Sequence, residues 1–481
     1  MGVQAPPTAT NGTTIWTGTQ RGECEAFLGI RYAVAERFQA PRPFSPSATE
    51  DASVHGHRCP QPPNPLLPAP AGEIQSEDCL FLDVYTPAAD RGARPVLVWI
   101  HGGSYVMGAA SDYDGSAIAA RHDVTVVAIN YRLGLFGFVD VSCLGTDHVG
   151  SAANGIADQI AALGWIRDNI SSFGGDPDNV TVAGQSAGAG SVLGLIAAPA
   201  SHGLFRRAIV ASPGSLLPEP PDLHVPLAAA LGVTIEGLGD ALLGASSDQL
   251  VAAQQTLGII NAGIDGTVIT SDPIDALSDT AAPLDALMIG TTADEGTLFT
   301  AMLGADSPAL AAATALGVRL LDPPVGAGRY LAGLRAASPD ADERRLATEV
   351  FTDSFRRLAL RCADASASGN RVTFLYRFDF PTTSFGGVLG ATHGCDIPFI
   401  LDTLDSPMTM HDPSDPTTQH LATVWSGAIC AFARTGSPNL DGLPRWPEYS
   451  PEAAPSMILD AKPSVGQCVD ELRLSLWGDR E

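Results

Sequence analysis

Lysine is nearly missing from this chain: Lys462 is the only one in 481 residues. That removes the Gly-Lys-Ser/Thr phosphate loop from consideration and leaves a single side chain for Schiff-base chemistry. Basic residues number 27 against 53 acidic ones, a formal net charge of −26. A surface of that sign repels phosphate backbones and anionic headgroups, so nucleic acid and acidic membranes are excluded as partners. Its first use is to keep the protein soluble, and attraction of cationic molecules comes second. Cysteine is scarce too, 8 in the whole chain, too few for a disulfide-built scaffold. Neither Cys-x-x-Cys nor His-Glu-x-x-His occurs, so no metal site and no cofactor are expected. No run of ~18 strongly apolar residues suggests a membrane span; residues 187–205 lack charge but are interrupted by Gly, Pro and His. The opening MGVQAPPTATNGTT has neither the basic nor the apolar region of a secretion signal. Two compartments stay open: an intracellular protein, or a secreted one whose signal has been removed. No internal repeat is present.

What is there is an ordinary globular composition, 45% apolar, on a chain long for one core. Two domains, or one large sheet with insertions, would accommodate it. Pro95–Ile100 and Val124–Ile129 are nearly continuous apolar runs, as strands covered on both faces should be. Alternating with helical patterns, they argue for a mostly parallel sheet. Residues 60–72, QPPNPLLPAPAGE, read as a Pro-rich surface loop.

The most informative stretch runs from Phe173 to Gly188, FGGDPDNVTVAGQSAG. Val180, Val182 and Ala183 form a short apolar, largely β-branched run, and Ala187–Ile196 continue as small and aliphatic residues able to pack as a buried helix. Between them stands Gly184-Gln185-Ser186-Ala187-Gly188. A serine on so sharp a strand-to-helix turn needs neighbours without bulk two positions away on either side, and Gly184 and Gly188 meet that need. The turn pushes the hydroxyl outward, with the N–H groups of a helix N-terminus behind it. Ser186 is therefore the candidate nucleophile.

This stretch resembles the active-site signature of type-B carboxylesterases, the family that includes bacterial nitrobenzyl esterases, animal carboxylesterases and cholinesterases. A second signature of the family is matched by Glu77-Asp78-Cys79-Leu80-Phe81-Leu82-Asp83-Val84-Tyr85-Thr86-Pro87. Further segments agree in order: Phe27–Ala33, Asn130-Tyr131-Arg132-Leu133-Gly134, Ala157-Asp158-Gln159 and Trp446-Pro447. The likeness spans residues ~20 to ~450. It implies an α/β-hydrolase fold, a central, mostly parallel twisted sheet flanked by helices. It implies one such domain over residues 1–481, with helical insertions at about 213–264 and 301–345 capping an active-site gorge. The activity it implies is carboxylic ester hydrolysis on a small-molecule ester, by a monomer or weak homo-oligomer.

Site residues follow from the same resemblance. His101-Gly102-Gly103-Ser104-Tyr105, after the strand ending at Ile100, is similar to the family's His-Gly-Gly-Gly loop. It implies an oxyanion hole made by the backbone N–H groups of Gly103, Ser104 and Ala187, with Ser104 departing from the usual Gly or Ala. In this fold the triad runs in the order Ser, acid, His. Of the downstream histidines, His411 stands in a polar loop and His420 opens an apolar helix, both read as surface or structural. His393, in Ala391-Thr392-His393-Gly394-Cys395-Asp396-Ile397-Pro398-Phe399, matches the family's base segment. For the acid, Ala286–Gly290 reads as a strand, and the loop after it carries Asp294 and Glu295. Sequence physics does not separate these two; the family pattern selects Glu295, leaving Asp294 as a loop or supporting group. Asp396 has the wrong chain order. Cys59 and Cys79 match positions that form a loop disulfide in many members, and that bridge is expected here. Tyr105 and Phe299 are candidate pocket residues from their nearness in sequence to the oxyanion and acid loops. Two other functions are carried forward: an amidase or carbamate hydrolase with the same triad, and a non-catalytic binding module.

Overall fold

The computed structural model describes residues 5–64, 72–257, 260–304, 307–469 and 471–478. Part of the Pro-rich stretch 60–72 therefore lies outside the described residues. The chain divides into two compact units, each assembled from several segments: Met1–Ile209, Leu216–Asp285 and Ala433–Thr435 in the first, and Val210–Ser215, Ala286–Phe432 and Gly436–Glu481 in the second.

The first unit is built on strands in the order Gly175–Gln185, Arg94–Ile100, Thr125–Ile129, Phe81–Thr86, Cys24–Arg31, Thr19–Arg21. The first three run parallel, with Val98 paired to Val182 on one side and to Val127 on the other. The remainder are antiparallel. The apolar runs Val96–Ile100 and Val126–Ile129 are buried at every residue, as strands flanked on both faces require. Helix Asn154–Asn169 packs against strand Gly175–Gln185, with Ile156, Leu163 and Ile166 buried. Its Asp158 receives both forks of Arg132, at 2.7 and 2.8 Å, and the Arg132 backbone N–H at 3.0 Å. The Asn-Tyr-Arg-Leu-Gly and Ala-Asp-Gln segments thus meet as one buried ion pair.

In the second unit Ala286–Thr292 pairs in parallel with Val372–Phe378, which pairs in parallel with Pro455–Leu459; Ser464–Gln467 closes the edge antiparallel. The 26-residue helix Glu343–Ser368 covers the first two strands. The stretches expected as insertions both contain helices. Residues 213–264 hold helices His224–Leu231, Leu238–Gly244 and Ser247–Thr256; residues 301–345 hold Pro308–Leu321 and Ala327–Ala337. Among the described residues no helix is long and apolar enough to cross a membrane.

The expected Cys59–Cys79 bridge is not formed: both are buried free thiols. The neighbouring Cys59 thiol, together with burial, pushes the Cys79 thiol well above its ordinary value. The Cys59 sulfur also accepts the Leu133 N–H at 3.2 Å.

Candidate active site

Ser186 follows directly on the strand Gly175–Gln185 and forms the N-cap of helix Ala187–Ile196, at φ 59°, ψ −122°. A non-glycine residue at positive φ is strained by clash of its Cβ, and such strain persists only where the surroundings over-determine it. They do so here. A Cβ on Gly184 would lie 2.4 Å from the Gly188 carbonyl oxygen, and one on Gly188 would lie 2.0 Å from the Ile100 oxygen. From Val180 to Ala198 every residue is buried except Ser186. The turn lifts one hydroxyl out of an otherwise closed core.

The loop after Ile100 packs against this turn. A Cβ on Gly102 would meet the Gln185 oxygen at 2.6 Å and the Ser186 Cβ at 3.1 Å, so only glycine permits that approach. The next three residues all have positive φ: Gly103 at 101°, Ser104 at 55° and Tyr105 at 60°. The bend is fixed by Val106 and Met107 N–H groups donating to the Gly103 oxygen at 3.0 and 3.1 Å, and by Gly134 N–H donating to the Tyr105 oxygen at 2.7 Å. The backbone N–H groups of Gly103, Ser104 and Ala187 have no acceptor among the described residues. Ala187 is buried, Gly103 half-buried and Ser104 exposed, so two adjacent turns hold three donors open to an acceptor, one of them on a buried residue, where backbone donors are nearly always paired. His101 is buried behind the loop, pushed down to about 4 by desolvation, and acts there as a neutral spacer stacked on Tyr131 at 4.5 Å.

In the second unit, strand Ala286–Thr292 delivers the acid loop. Glu295 is fully buried and fully engaged. Its Oε1 accepts from Ser212 Oγ at 2.5 Å and Thr292 N at 2.7 Å, and its Oε2 is 2.5 Å from His393 Nδ1. The two neighbouring carboxylates are thereby told apart. Asp294 accepts the Ala391 N–H at 3.0 Å and returns its own N–H to the Ala391 oxygen at 2.9 Å, clamping the loop that bears His393 without touching the imidazole. His411 packs face-on against Phe380 at 5.4 Å, and His420 is exposed.

Asp396 is enclosed one turn from the base. Among the described residues its carboxyl has one hydrogen bond, from Tyr376 Oη at 3.4 Å, and its Oδ1 has no partner. Desolvation, reinforced by the Glu295 charge, pushes this carboxyl up to about 7. Phe299 is half-buried with its ring 5.3 Å from His393, whereas Tyr105 is buried against Phe138 at 4.8 Å. Two neighbours escaped sequence reasoning. Phe355 lies 4.7 Å from His393, in mid-helix with no local signal. Ser212 follows immediately on the strand Arg207–Ala211, and a polar residue at a strand's C-terminal end was the cue that could have found it.

A model of the Carboxylesterase family matches residues 3–477. The chain is 36% identical to a para-nitrobenzyl esterase of Bacillus subtilis (strain 168), over 93% of this chain and 94% of that protein. It is 32% identical to a cocaine esterase of Homo sapiens, over 94% and 86% respectively. The crystal structure of a Geobacillus stearothermophilus carboxylesterase superposes with a TM-score of 0.84 at 33% identity, covering 98% of this chain and 99% of that one.

Proposed function

Because this chain belongs to the carboxylesterase family, with the α/β-hydrolase fold and carboxylic ester hydrolysis that go with it, we propose that it cleaves small-molecule esters through an acyl-enzyme on Ser186. His393 is the general base, Glu295 its orienting acid, and the N–H groups of Gly103, Ser104 and Ala187 form the oxyanion hole. The observation that supports this most is Ser186 itself, the one accessible residue in a buried segment, held at a strained φ beside three unpaired N–H donors.

The chemistry follows from the bonds each half makes. Glu295 Oε2 accepts from His393 Nδ1, which fixes the proton there and leaves Nε2 as the basic nitrogen. Nε2 takes the Ser186 proton as Oγ attacks the ester carbonyl. Charge that develops on the carbonyl oxygen is met by the fixed donors, each worth about 3–4 kcal/mol of barrier. The imidazolium then returns its proton to the departing alcohol, and water repeats the sequence on the acyl-enzyme. Ser104 contributes through its backbone, so its departure from glycine does not cost the donor. The helices within 213–264 and 301–345 are the proposed cap, and Phe299, in contact with His393, is the better of the two pocket candidates.

Hydrolysis of p-nitrophenyl acetate, butyrate and octanoate by wild type and Ser186→Ala tests this reading. Saturable turnover should fall by on the order of 10⁶-fold in kcat. Wild-type turnover in the variant would remove Ser186 from the mechanism.

A further inference from the structure

Behind the acid loop, within the second unit, helix Glu343–Ser368 presents Arg356. Its Nη2 donates to the carbonyl oxygens of Thr292 at 3.0 Å and Ala293 at 2.8 Å. Its Nε is enclosed without a partner, and among the described residues no carboxylate pairs with it. Two further guanidiniums lie beside it, and both have counter-charges. Arg377 is forked on Asp379 with two contacts of 2.6 Å, and Arg473 reaches Glu349 at 2.8 Å and Asp353 at 2.9 Å. Together with Gln467, Cys468 and Val469 these three arginines line a cleft of about 290 Å³ that has no acidic residue in its described wall.

A partly buried guanidinium with no counter-charge and an unpaired, enclosed Nε carries a cost. Burial and the repulsion of Arg377 both weaken Arg356's hold on its proton. In a chain with 53 acidic and 27 basic residues, a carboxylate for Arg356 would be easy to supply from within. The acids nearby are instead directed to the other guanidiniums. What the cleft offers is planar donors in fork geometry, which match the paired oxygens of carboxylates and phosphates.

We propose that this cleft is a binding site for a small oxyanion, a carboxylate or a phosphate, with Arg356 as its unneutralised donor. The cleft's volume suits inorganic phosphate or a small organic acid rather than a polymer. The site lies one hydrogen-bonded residue from the acid loop: Arg356 holds the Thr292 oxygen, and the Thr292 N–H holds Glu295. It is nonetheless separate from the proposed ester site, and it stands or falls independently of the esterase mechanism.

The test measures thermal unfolding of the whole chain against added sodium phosphate or sodium acetate, with ionic strength held constant by sodium chloride. Wild type should show a saturable rise in midpoint on the order of 2 °C. Arg356→Gln should abolish it. Gln467→Glu, at an exposed position, places a charge of the ligand's own sign in the cleft while leaving Arg356's contacts with the Thr292 and Ala293 carbonyls in place, and should weaken the apparent affinity at least about tenfold. A rise with phosphate alone identifies a phosphate-type site, and one with acetate alone a carboxylate-type site. A rise that is linear, or the same in wild type and Gln467→Glu, overturns the proposal. If Arg356→Gln fails to fold, the comparison of wild type with Gln467→Glu still decides.

Discussion

Replacing Glu295 by glutamine changes one atom and should disable the base through its tautomer. Glu295 Oε1 faces two donors, Ser212 Oγ at 2.5 Å and Thr292 N at 2.7 Å, and Thr292 N cannot rotate away. The amide oxygen of a glutamine must therefore take that position, because an NH₂ there would oppose a fixed backbone donor. The NH₂ is then left where Oε2 stood, 2.5 Å from His393 Nδ1. It can only donate, so Nδ1 becomes the acceptor and the proton moves to Nε2. An imidazole protonated at Nε2 cannot accept the Ser186 proton. The expected loss in kcat is on the order of 10⁴-fold, about 5.5 kcal/mol of barrier. Asp294→Asn is the matched control: its carboxylate meets only the Ala391 backbone, so it should cost about tenfold or less. The assay is p-nitrophenyl butyrate turnover, corrected for active enzyme by the burst of the first turnover, with unfolding midpoints taken in parallel. If Glu295→Gln stays within tenfold of wild type, or Asp294→Asn proves the more damaging, the tautomer argument is wrong.

Two further outcomes follow from the same geometry. Gly188→Ala drives a methyl to 2.0 Å from the Ile100 oxygen, backbone that cannot step aside, so urea unfolding should show a loss on the order of 3 kcal/mol or no soluble protein at all. Asp396 keeps a proton in the fold that the unfolded chain releases at ordinary carboxylate pH, since its folded value is the higher, about 7. Its contribution is therefore fully present below about pH 4 and is lost as pH rises through about 7, a swing on the order of 4 kcal/mol. Asp396→Asn should lack that slope, so its stability relative to wild type should rise from pH 4 to pH 8; a constant difference would place the buried carboxyl outside this account.

The parts legible in the sequence are those in which one local rule decides. The central strands announce themselves because burial on both faces demands uninterrupted apolar residues, as in Val96–Ile100. The nucleophile turn is legible because its backbone tolerates no Cβ at positions 184 and 188, a constraint that leaves glycine visible in the string. Choices made by tertiary contact are not legible. Asp294 and Glu295 are adjacent and chemically alike, and what separates them is the strand register that aims one carboxylate at an imidazole 98 positions away and the other at the backbone of Ala391.

The cysteines fail for the opposite reason. Cys59 and Cys79 carry the family's spacing, yet a thiol and a half-disulfide have the same letter, and in the structure both are buried free thiols, with Cys59 accepting the Leu133 N–H. Arg356 is more opaque still. Nothing in a sequence of 27 basic and 53 acidic residues marks one arginine as the member whose neighbours' carboxylates are all directed elsewhere. Such a residue becomes visible only when every nearby acid has been assigned to its own partner, because an unpaired charge is a property of the whole constellation rather than of any segment. The same holds for the three N–H groups of Gly103, Ser104 and Ala187, whose significance lies in bonds that no part of the described chain makes with them. At Arg356 the fold has left an enclosed Nε unsatisfied at a cost, at the nucleophile turn it has left N–H donors without an acceptor among the described residues, and an oxyanion is the partner proposed for each.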